Sequence, residues 1–443
     1  MWRSSSLALC WVLFASLLFY AHRIPWHALL LIGVSAIAFV GGRLAGSERS
    51  RRHVFAGASI ILALTPLLIF KYSAFFSGLL SELIGAGDLP DLTKYGLILP
   101  LGISFFTFQN IGYIADRFRG VFATPVSAFK YAVYVVFFPQ LVAGPIVTAR
   151  EFLPQLESKS FFHNRDYILG STFLALGYFK KALLADSLAG VADPVFATPG
   201  AAGSLAVLLA VLAYAMQIYF DFSGYSDIAI GIGLWFGFRL PENFSYPYSA
   251  DSFRDFWRRW HITLSRWLRD HLYIPLGGNR LGVSRMYFAL LATMLLGGLW
   301  HGAHLNFVLW GAGHGILLIA ERWIPMGWRN WSWFGGIYRV FVLTSIVLLW
   351  IPFRAGSEAD GFAVTAEVIQ RLFVWTPGDF READLRLVVG FLALLGIGSI
   401  YGERLLGFWD RLALPWRGAL LAIAAILLLL LAPGGGAFIY FVF

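Results

Sequence analysis

The sequence predicts an all-α polytopic membrane protein, and three observations support this fold class. Hydrophobic residues make up 58% and charged residues 13% of the 443 residues, whereas an ordinary soluble domain is about 25% charged. Aromatic residues reach 17%, which is typical of proteins with aromatic belts at the membrane interfaces. Apolar runs long enough to cross a hydrocarbon core of about 30 Å recur along the chain. These features exclude a soluble, disordered or fibrous protein.

The apolar runs predict about 11–13 membrane passes, some of them broken or re-entrant. The first run could pass for a signal peptide, but we take it as an uncleaved transmembrane helix. Cys10 does not fit a lipoprotein cysteine, because Leu9 stands where a small residue is needed. As the single cysteine, it also excludes an internal disulfide framework. Candidate segments lie near residues 5–21, 27–45, 54–71, 95–114, 128–146, 166–185, 203–220, 222–238, 286–301, 304–322, 334–353, 384–402 and 416–432.

Charged residues in two loops predict the orientation of the chain. The loop after the second segment is basic and the loop after the third is acidic, and positive loops favour the cytoplasmic side. We therefore expect a cytoplasmic N-terminus. The net charge of +9 lies in short loops, which indicates membrane lipids rather than nucleic acid as its partner. The loop residues concerned are Arg43, Arg49, Arg51 and Arg52, then Glu82, Asp88 and Asp91.

Residues 241–285 interrupt the hydropathy pattern, because they carry too much charge to span a membrane. We expect an amphipathic helix that lies in the headgroup plane or dips into a cytoplasm-facing cavity. Arginine forks match phosphate geometry, so Arg258, Arg259 and Arg266 are candidates to bind the phosphates of a nucleotide-bearing donor. A plain lipid-surface belt is the alternative. The segment interleaves Trp257, Trp260, Trp267 and Tyr273 with Arg254, Arg258, Arg259, Arg266, Arg269, Arg280 and Arg285.

Three histidines, His301, His304 and His314, lie in or beside apolar segments. Ionisable groups within a membrane are costly and mark functional sites by default. If the helix that begins near Arg285 starts at the cytoplasmic face, His301 lies about 24 Å along it. A neutral imidazole at that depth can act as a general base. The alternative is a hydrogen bond between helices.

Glycines surround these histidines, and two interpretations of them stay open. They allow a ligand chain to come close, or they allow helices to pack closely. A metal site built on the three histidines is a weaker alternative, because no nearby carboxylate or cysteine completes a ligand set. The glycines are Gly297, Gly298, Gly302, Gly311, Gly313 and Gly315.

A second polar cluster runs from Tyr219 to Asp227 between apolar segments. Asp221 and Asp227 are expected to orient a histidine or to pair with an arginine of the basic segment. Alternatively, Asp221 or Ser223 caps a helix break at this point.

Several signatures are missing from the sequence. It has no phosphate-binding loop, no dinucleotide fingerprint, no serine nucleophile elbow and no zinc-protease motif. ATP-driven transport, nicotinamide chemistry, serine hydrolysis and zinc proteolysis therefore lack support. Since no serine or cysteine nucleophile is evident, the chemistry that we expect is direct transfer to a hydroxyl.

At these residues the chain resembles the membrane-bound O-acyltransferase family, in its bacterial alginate O-acetylation branch. The resemblance implies one integral-membrane domain over residues 1–443, with about 11–13 transmembrane or re-entrant helices around a central tunnel. The family motifs cover most of residues 95–320 in family order, whereas residues 325–437 match loosely. The matching stretches are Leu99–Phe106, Phe138–Ile146, Tyr219–Asp227, Pro241–Phe244, Phe256–Ser265, Trp267–Asp270, Leu276–Arg280, Gly297–Ala303 and the terminal Phe438–Phe441.

The resemblance also implies roles for individual residues. The histidine of the family's Trp-His-Gly motif falls on His301, which is implied to be the general base or proton shuttle. His261 stands where many eukaryotic members have asparagine, and is implied to position the thioester carbonyl or stabilise the oxyanion. The implied donor-binding residues are Arg254, Trp257, Arg258, Arg259, Arg266, Arg269 and Asn243. The implied tunnel or supporting residues are Asp221, Ser223, Asp227, Trp300, Gly302, His304 and His314, and no metal is implied.

The implied activity is transfer of an acyl group, most simply acetyl, from a cytoplasmic thioester across the membrane to a hydroxyl. The implied acceptor is an exported or cell-envelope polysaccharide, reached directly or through a periplasmic acetyltransferase partner. Acetyl coenzyme A is the expected donor, no cofactor is expected to be tightly bound, and the bacterial inner membrane is the expected location. The closest alternative is D-alanyl transfer to teichoic acid from a carrier protein that bears phosphopantetheine. A transporter or a non-enzymatic export subunit is the alternative from another class.

Overall fold

The structure is a computed structural model and describes residues 5–47, 50–85, 98–157, 164–325, 332–358 and 360–431. The predicted loop residues Arg49, Asp88 and Asp91 and the terminal motif Phe438–Phe441 lie outside the described residues. Within the described ranges the chain forms helices and no β-strand. The predicted all-α class is thus confirmed.

The chain divides into two compact units. Unit 1 consists of Met1–Gly170 and Ala229–Pro241, and unit 2 consists of Ser171–Ile228 and Glu242–Phe443. The single domain expected over residues 1–443 stays a prediction.

Unit 1 contains the first eight helices and the start of the ninth. Helix α2 begins with proline at a position that needs no backbone donor, and it packs against α3 and α5. The short helix α8 begins at a capping box made by Thr148 and Glu151. The helices are α1 (Ser5–Ala21), α2 (Pro25–Ala45), α3 (Arg52–Leu67), α4 (Ser73–Ile84), α5 (Ile103–Phe118), α6 (Ala128–Val136), α7 (Phe138–Leu141), α8 (Ala149–Phe152) and α9 (Asn164–Tyr178).

Unit 2 holds every residue that the sequence predicts for the site. A π-helical stretch, Phe179–Ala185, joins α9 to the next helix. The core of unit 2 is rich in aromatic rings, among them Tyr214, Trp260, Trp310 and Trp350. The remaining helices are α10 (Asp186–Ala197), α11 (Ser204–Trp235), α12 (Phe253–Arg259), α13 (Ile262–Leu268), α14 (Val283–His301), α15 (Leu305–Ala320), α16 (Ser332–Ala355), α17 (Gly361–Phe373), α18 (Glu382–Arg411) and α19 (Leu414–Leu431).

Seven helical stretches among the described residues are long and apolar enough to cross a membrane by length and composition. The protein is therefore a multi-pass membrane protein. By this measure the described chain has fewer spans than the 11–13 passes expected, which included short and re-entrant segments. The seven are Pro25–Ala45, Arg52–Ile84, Tyr167–Ala197, Ser204–Trp235, Val283–His301, Trp333–Ala355 and Glu382–Gly402, and shorter apolar helices lie at Leu7–Ala21 and Leu414–Leu428.

The structure differs from the sequence prediction in three places. The segments expected at 203–220 and 222–238 form one continuous helix of 32 residues, α11. The segment expected at 128–146 is divided between the short helices α6 and α7. The amphipathic helix expected in the basic segment is instead the pair α12 and α13, because the backbone turns at His261, where φ is +40°.

Helices α14 and α15 form a tightly packed antiparallel pair that carries His301 at its turn. A Cβ atom on Gly298 would lie 2.1 Å from the carbonyl oxygen of Phe307, and one on Gly311 would lie 2.3 Å from that of Met294. A Cβ atom on Gly302 would lie 2.1 Å from the Phe307 ring. The glycines around the histidines therefore serve close helix packing, one of the two interpretations left open by the sequence.

Candidate active site

His301 is the last residue of α14 and lies in an aromatic environment. Its side chain is buried, and its ring centroid is 4.9 Å from that of Trp300, 5.1 Å from that of Trp310 and 5.1 Å from that of Phe353. Such walls exclude water and lower the local dielectric constant, which strengthens any hydrogen bond made by the imidazole. The surroundings suit a neutral histidine that exchanges a proton with a bound hydroxyl.

His314 lies on the other side of Trp310. Its ring stacks on Phe256, and its centroid is 5.0 Å from that of Trp257 and 4.8 Å from that of Trp310. Both ring nitrogens are buried and have no hydrogen-bond partner among the described residues. Trp310 thus separates two buried histidines, His301 and His314.

His304 has a local role at the turn between α14 and α15. Its Nδ1 atom accepts a hydrogen bond from the backbone N–H of Asn306 at 3.1 Å, so this side chain caps α15. The side chain of Asn306 in turn donates to the Gly361 carbonyl at 2.8 Å and to the Thr365 hydroxyl at 3.0 Å. These bonds attach the His301 turn to α17.

His261 and His301 both contact the ring of Trp300. The ring centroids of His261 and Trp300 are 6.1 Å apart, and Phe222 of α11 packs edge-on against His261 at 4.6 Å. The side chain of His261 is 0% exposed. Burial lowers the pKa of His261 to about 3, so the imidazole is neutral at physiological pH.

Asn243 is buried beside His261. Its Oδ1 atom lies 3.1 Å from Nδ1 of His261 and accepts from the Thr263 hydroxyl at 2.9 Å, while its Nδ2 donates to the Ser226 hydroxyl at 3.2 Å. Asn243 was predicted to bind the donor, and that role stays a prediction. The contacts observed here are to protein side chains around His261.

The arginines of the basic segment differ in their partners. Arg259 pairs with Asp255 at 2.8 Å, and Arg269 pairs with Asp270 at 2.7 Å. Arg254 and Arg258 are exposed, and the guanidinium of neither contacts an acidic side chain of the described residues. They are four residues apart on α12, so their side chains share one face.

Arg266 is half-buried. Trp257 is half-buried and contacts His314 rather than the surface arginines.

The acidic cluster on α11 has partners that the sequence analysis missed. Asp221 pairs with Lys181 at 2.6 Å, and Asp227 pairs with Lys180 at 2.6 Å. The expected pairing with arginines of the basic segment is therefore wrong, and so is the expected helix break, since α11 continues through both residues. Ser223 is buried within the same helix. Two adjacent lysines inside the apolar segment 166–185 were the available signal, because buried charges need partners.

An apolar cavity of about 290 Å³ lies elsewhere in unit 2. It is lined by Tyr219, Tyr248, Leu343 and Leu392 among others, and Tyr219 and Tyr248 also contact Trp260. The central tunnel expected from the sequence stays a prediction. No three His, Cys, Asp or Glu side chains within the described ranges converge as metal ligands.

The fold and the site define a class, a multi-pass helical membrane protein with buried histidines among aromatic rings. Residues 115–351 match the model of MBOAT, the membrane-bound O-acyltransferase family. The chain belongs to this family and is an O-acyltransferase.

Similar proteins include three with different named activities. The chain is 38% identical to a probable alginate O-acetylase of Pseudomonas putida, over 87% of this chain and 81% of that protein. It is 37% identical to a peptidoglycan O-acetyltransferase of Helicobacter pylori, over 80% and 72%. It is 27% identical to a teichoic acid D-alanyltransferase of Bacillus subtilis, over 69% and 78%.

Proposed function

We propose that the protein transfers an acetyl group from a pantetheine thioester, acetyl coenzyme A, to a hydroxyl of an exported or cell-envelope polysaccharide. The observation that supports this most strongly is the burial of His301 among Trp300, Trp310 and Phe353 at the end of a membrane-spanning helix. A neutral histidine in a dry site can activate a hydroxyl while the surrounding rings keep water away from the thioester.

His301 is the general base of the proposed reaction. It takes the proton of the acceptor hydroxyl as the oxygen attacks the carbonyl carbon of the thioester. The tetrahedral intermediate then collapses, the carbon–sulfur bond breaks, and the thiolate leaves with a proton returned by His301. The products are an acetyl ester and a free thiol. General-base help of this kind is worth about 10² to 10⁴ in rate.

Arg254 and Arg258 are the arginines best suited to hold the donor's phosphates. They are exposed on one face of α12, whereas Arg259 and Arg269 are engaged by carboxylates. Trp257, on the same helix, contacts His314 and Trp310, and Trp310 contacts His301. Side-chain contacts therefore connect Trp257, which lies between the two arginines in the sequence of α12, with the proposed base.

The relatives favour acetyl over D-alanyl transfer. Identity is 37–38% to proteins named for O-acetylation of alginate and of peptidoglycan, and 27% to one named for D-alanyl transfer to teichoic acid. We further propose that the protein lies in the bacterial inner membrane with a cytoplasmic N-terminus, because basic loops favour the cytoplasmic side. The acceptor lies on the opposite side, where a periplasmic acetyltransferase is the expected partner.

Acetyl transfer from radiolabelled acetyl coenzyme A in membrane vesicles tests this proposal. We would compare the native protein, His301→Ala and His22→Ala at matched expression. His22 is an exposed histidine of unit 1, so its replacement controls for the loss of an imidazole.

Label is expected in polymer or in a periplasmic protein with the native chain and with His22→Ala, and not with His301→Ala. Equal labelling by all three proteins would contradict the role of His301. If none of the three proteins transfers label but the native protein transfers D-alanine from a carrier protein, the proposed acetyl transfer would be replaced by D-alanyl transfer.

A further inference from the structure

The hydrogen bonds of Asn243 determine which end of its amide is the oxygen. Oδ1 lies 3.3 Å from the backbone N of Thr263, and a backbone N–H can only donate. Nδ2 donates at the other end, to the Ser226 hydroxyl at 3.2 Å. The backbone N–H of Thr263, which can only donate, thus assigns the orientation of the Asn243 amide.

The amide orientation in turn assigns the tautomer of His261. Nδ1 of His261 is 3.1 Å from Oδ1 of Asn243, and a carbonyl oxygen only accepts, so Nδ1 must carry the proton. In a neutral ring Nε2 then bears a lone pair. Nε2 is buried and has no hydrogen-bond partner among the described residues. His261 therefore offers a buried acceptor rather than a donor.

The backbone around this pair is fixed by further bonds. The N–H of Ile262 donates to the carbonyl of Asn243 at 2.9 Å, and the N–H of Ser245 donates to the carbonyl of Arg259 at 2.9 Å. The turn that carries His261 is thereby tied to the segment that carries Asn243. Because both the backbone of His261 and its Nδ1 atom are held by hydrogen bonds, the imidazole ring has little freedom to flip.

A bare Nε2 atom restricts what the ring can bind. The carbonyl oxygen and sulfur of a thioester are acceptors, and so is the oxyanion formed during transfer, so a lone pair disfavours all three. The donor group of a pantetheine thioester nearest the reacting carbon is the amide N–H, two methylenes beyond the sulfur. Trp300 contacts both His261 and His301, and four bonds separate that nitrogen from the carbonyl carbon.

We propose that Asn243 is a positioning residue that holds His261 as the Nδ1–H tautomer, and that Nε2 of His261 accepts the hydrogen bond of the pantetheine amide nearest the thioester. This inference rests on the proposed thioester donor. It assigns His261 the opposite hydrogen-bonding role to the oxyanion donor that the family resemblance implies. His261 thus aligns the donor, and His301 alone exchanges the proton.

Nitrogen NMR of the protein in lipid nanodiscs, with ¹⁵N-labelled histidine, tests the tautomer without any turnover. The His261 signals, identified by their loss in His261→Gln, are expected to show a protonated Nδ1 and a bare Nε2. Asn243→Leu is expected to remove that preference. A protonated Nε2 in the native protein would overturn the inference.

Binding of a donor analogue tests the ligand. The probe is coenzyme A with a non-reactive thioether in place of the acetyl thioester, compared with the same molecule carrying an ester oxygen in place of the amide N–H nearest the sulfur. Loss of this one hydrogen bond is expected to weaken binding by roughly tenfold in the native protein. His261→Leu is expected to bind both probes equally, and His261→Gln, which keeps an acceptor oxygen, is expected to recover part of the discrimination.

The two proposals fail differently in this experiment. Equal binding of both probes by the native protein would overturn the role of His261 alone, whereas binding of neither would contradict the proposed donor and, with it, the role that rests on that donor. Discrimination between the probes without acetyl transfer to any acceptor would leave that role in place and contradict the proposed function.

Discussion

Gly298 and Gly311 face each other where α14 crosses α15, and a Cβ atom on Gly298 would lie 3.2 Å from the Cα of Gly311. The same Cβ would collide with the Phe307 carbonyl at 2.1 Å, and a backbone oxygen cannot rotate away as a flexible side chain can. Because His301 lies three residues after Gly298, the helix crossing also sets the position of the proposed base.

Gly298→Ala is therefore expected to destabilise the fold by about 1–3 kcal/mol, the usual cost of overpacking, and to reduce acetyl transfer. Thermal unfolding in detergent and transfer in vesicles measure the two effects. Gly336→Ala is the control, because nothing lies within 4 Å of a Cβ at this helical position. Native stability of the Gly298→Ala variant would show that the two helices can move apart enough to accommodate a methyl group.

Charge reversal at Arg254 and Arg258 is expected to raise KM for acetyl coenzyme A about tenfold or more and to leave kcat nearly unchanged. The reason is that phosphate contacts made equally in the ground and transition states affect binding alone. The measurement is initial rate against donor concentration, at low and high salt. Arg381→Glu, an exposed arginine outside the basic segment, is the control, and an equal KM in all variants would contradict the assignment.

His314→Phe is expected to keep or raise stability, by about 1–2 kcal/mol, because it removes a buried imidazole that has no hydrogen-bond partner among the described residues. The phenyl ring fits between Phe256 and Trp310, and transfer is expected to persist. His301→Phe, an identical replacement across Trp310, is expected to abolish transfer. Loss of activity in a folded His314→Phe protein would instead bring His314 into the reaction.

Lys180→Met is expected to destabilise the protein by about 3 kcal/mol, because it leaves the Asp227 carboxylate without the ammonium that lies 2.6 Å away. Lys180→Met combined with Asp227→Leu is expected to recover most of that loss, since two apolar side chains replace the ion pair. Unfolding of the two single variants and the double variant gives the coupling energy. Additive effects would mean that the pair contributes no interaction of its own.

Asn243→Asp is expected to introduce a new ionisation into the pH profile of transfer. In the native protein burial lowers the pKa of His261 to about 3, so its charge does not change between pH 5 and 8. A carboxylate beside Nδ1 favours the imidazolium and raises this pKa. Activity of the variant should therefore fall as pH drops through the raised pKa, because a protonated Nε2 cannot accept. An unchanged profile would argue against the acceptor role.

The sequence alone predicted the helical class and the positions of most spans, because the length of an apolar run can be read from neighbouring residues. It failed at α11, where Asp221 and Asp227 resembled a break between two helices. Both carboxylates are neutralised by Lys181 and Lys180, which lie 40 and 47 residues earlier in the chain, and no local pattern reports such a pairing. Helix α17 was missed because its apolar face is too short for a membrane span.

The sequence motifs likewise predicted which histidines belong to the site, but they did not predict how these histidines are arranged in space. His301 and its glycines are recognisable within one short stretch, and the structure places them at one helix crossing. The bond between Asn243 and His261 joins residues 18 positions apart through a turn that the sequence analysis expected to be a continuous helix. Which nitrogen of His261 carries the proton depends on that turn.

The left-handed backbone at His261 also limits which amino acids can stand there. Among residues other than glycine, asparagine, aspartate and histidine tolerate a positive φ best, and β-branched side chains tolerate it worst. Asparagine is the residue that many eukaryotic members of the family carry at the matching position, and its amide oxygen can accept a hydrogen bond as a bare ring nitrogen does. The exchange of one for the other thus preserves both the turn and an acceptor. Backbone geometry alone therefore restricts this position to a small set of amino acids.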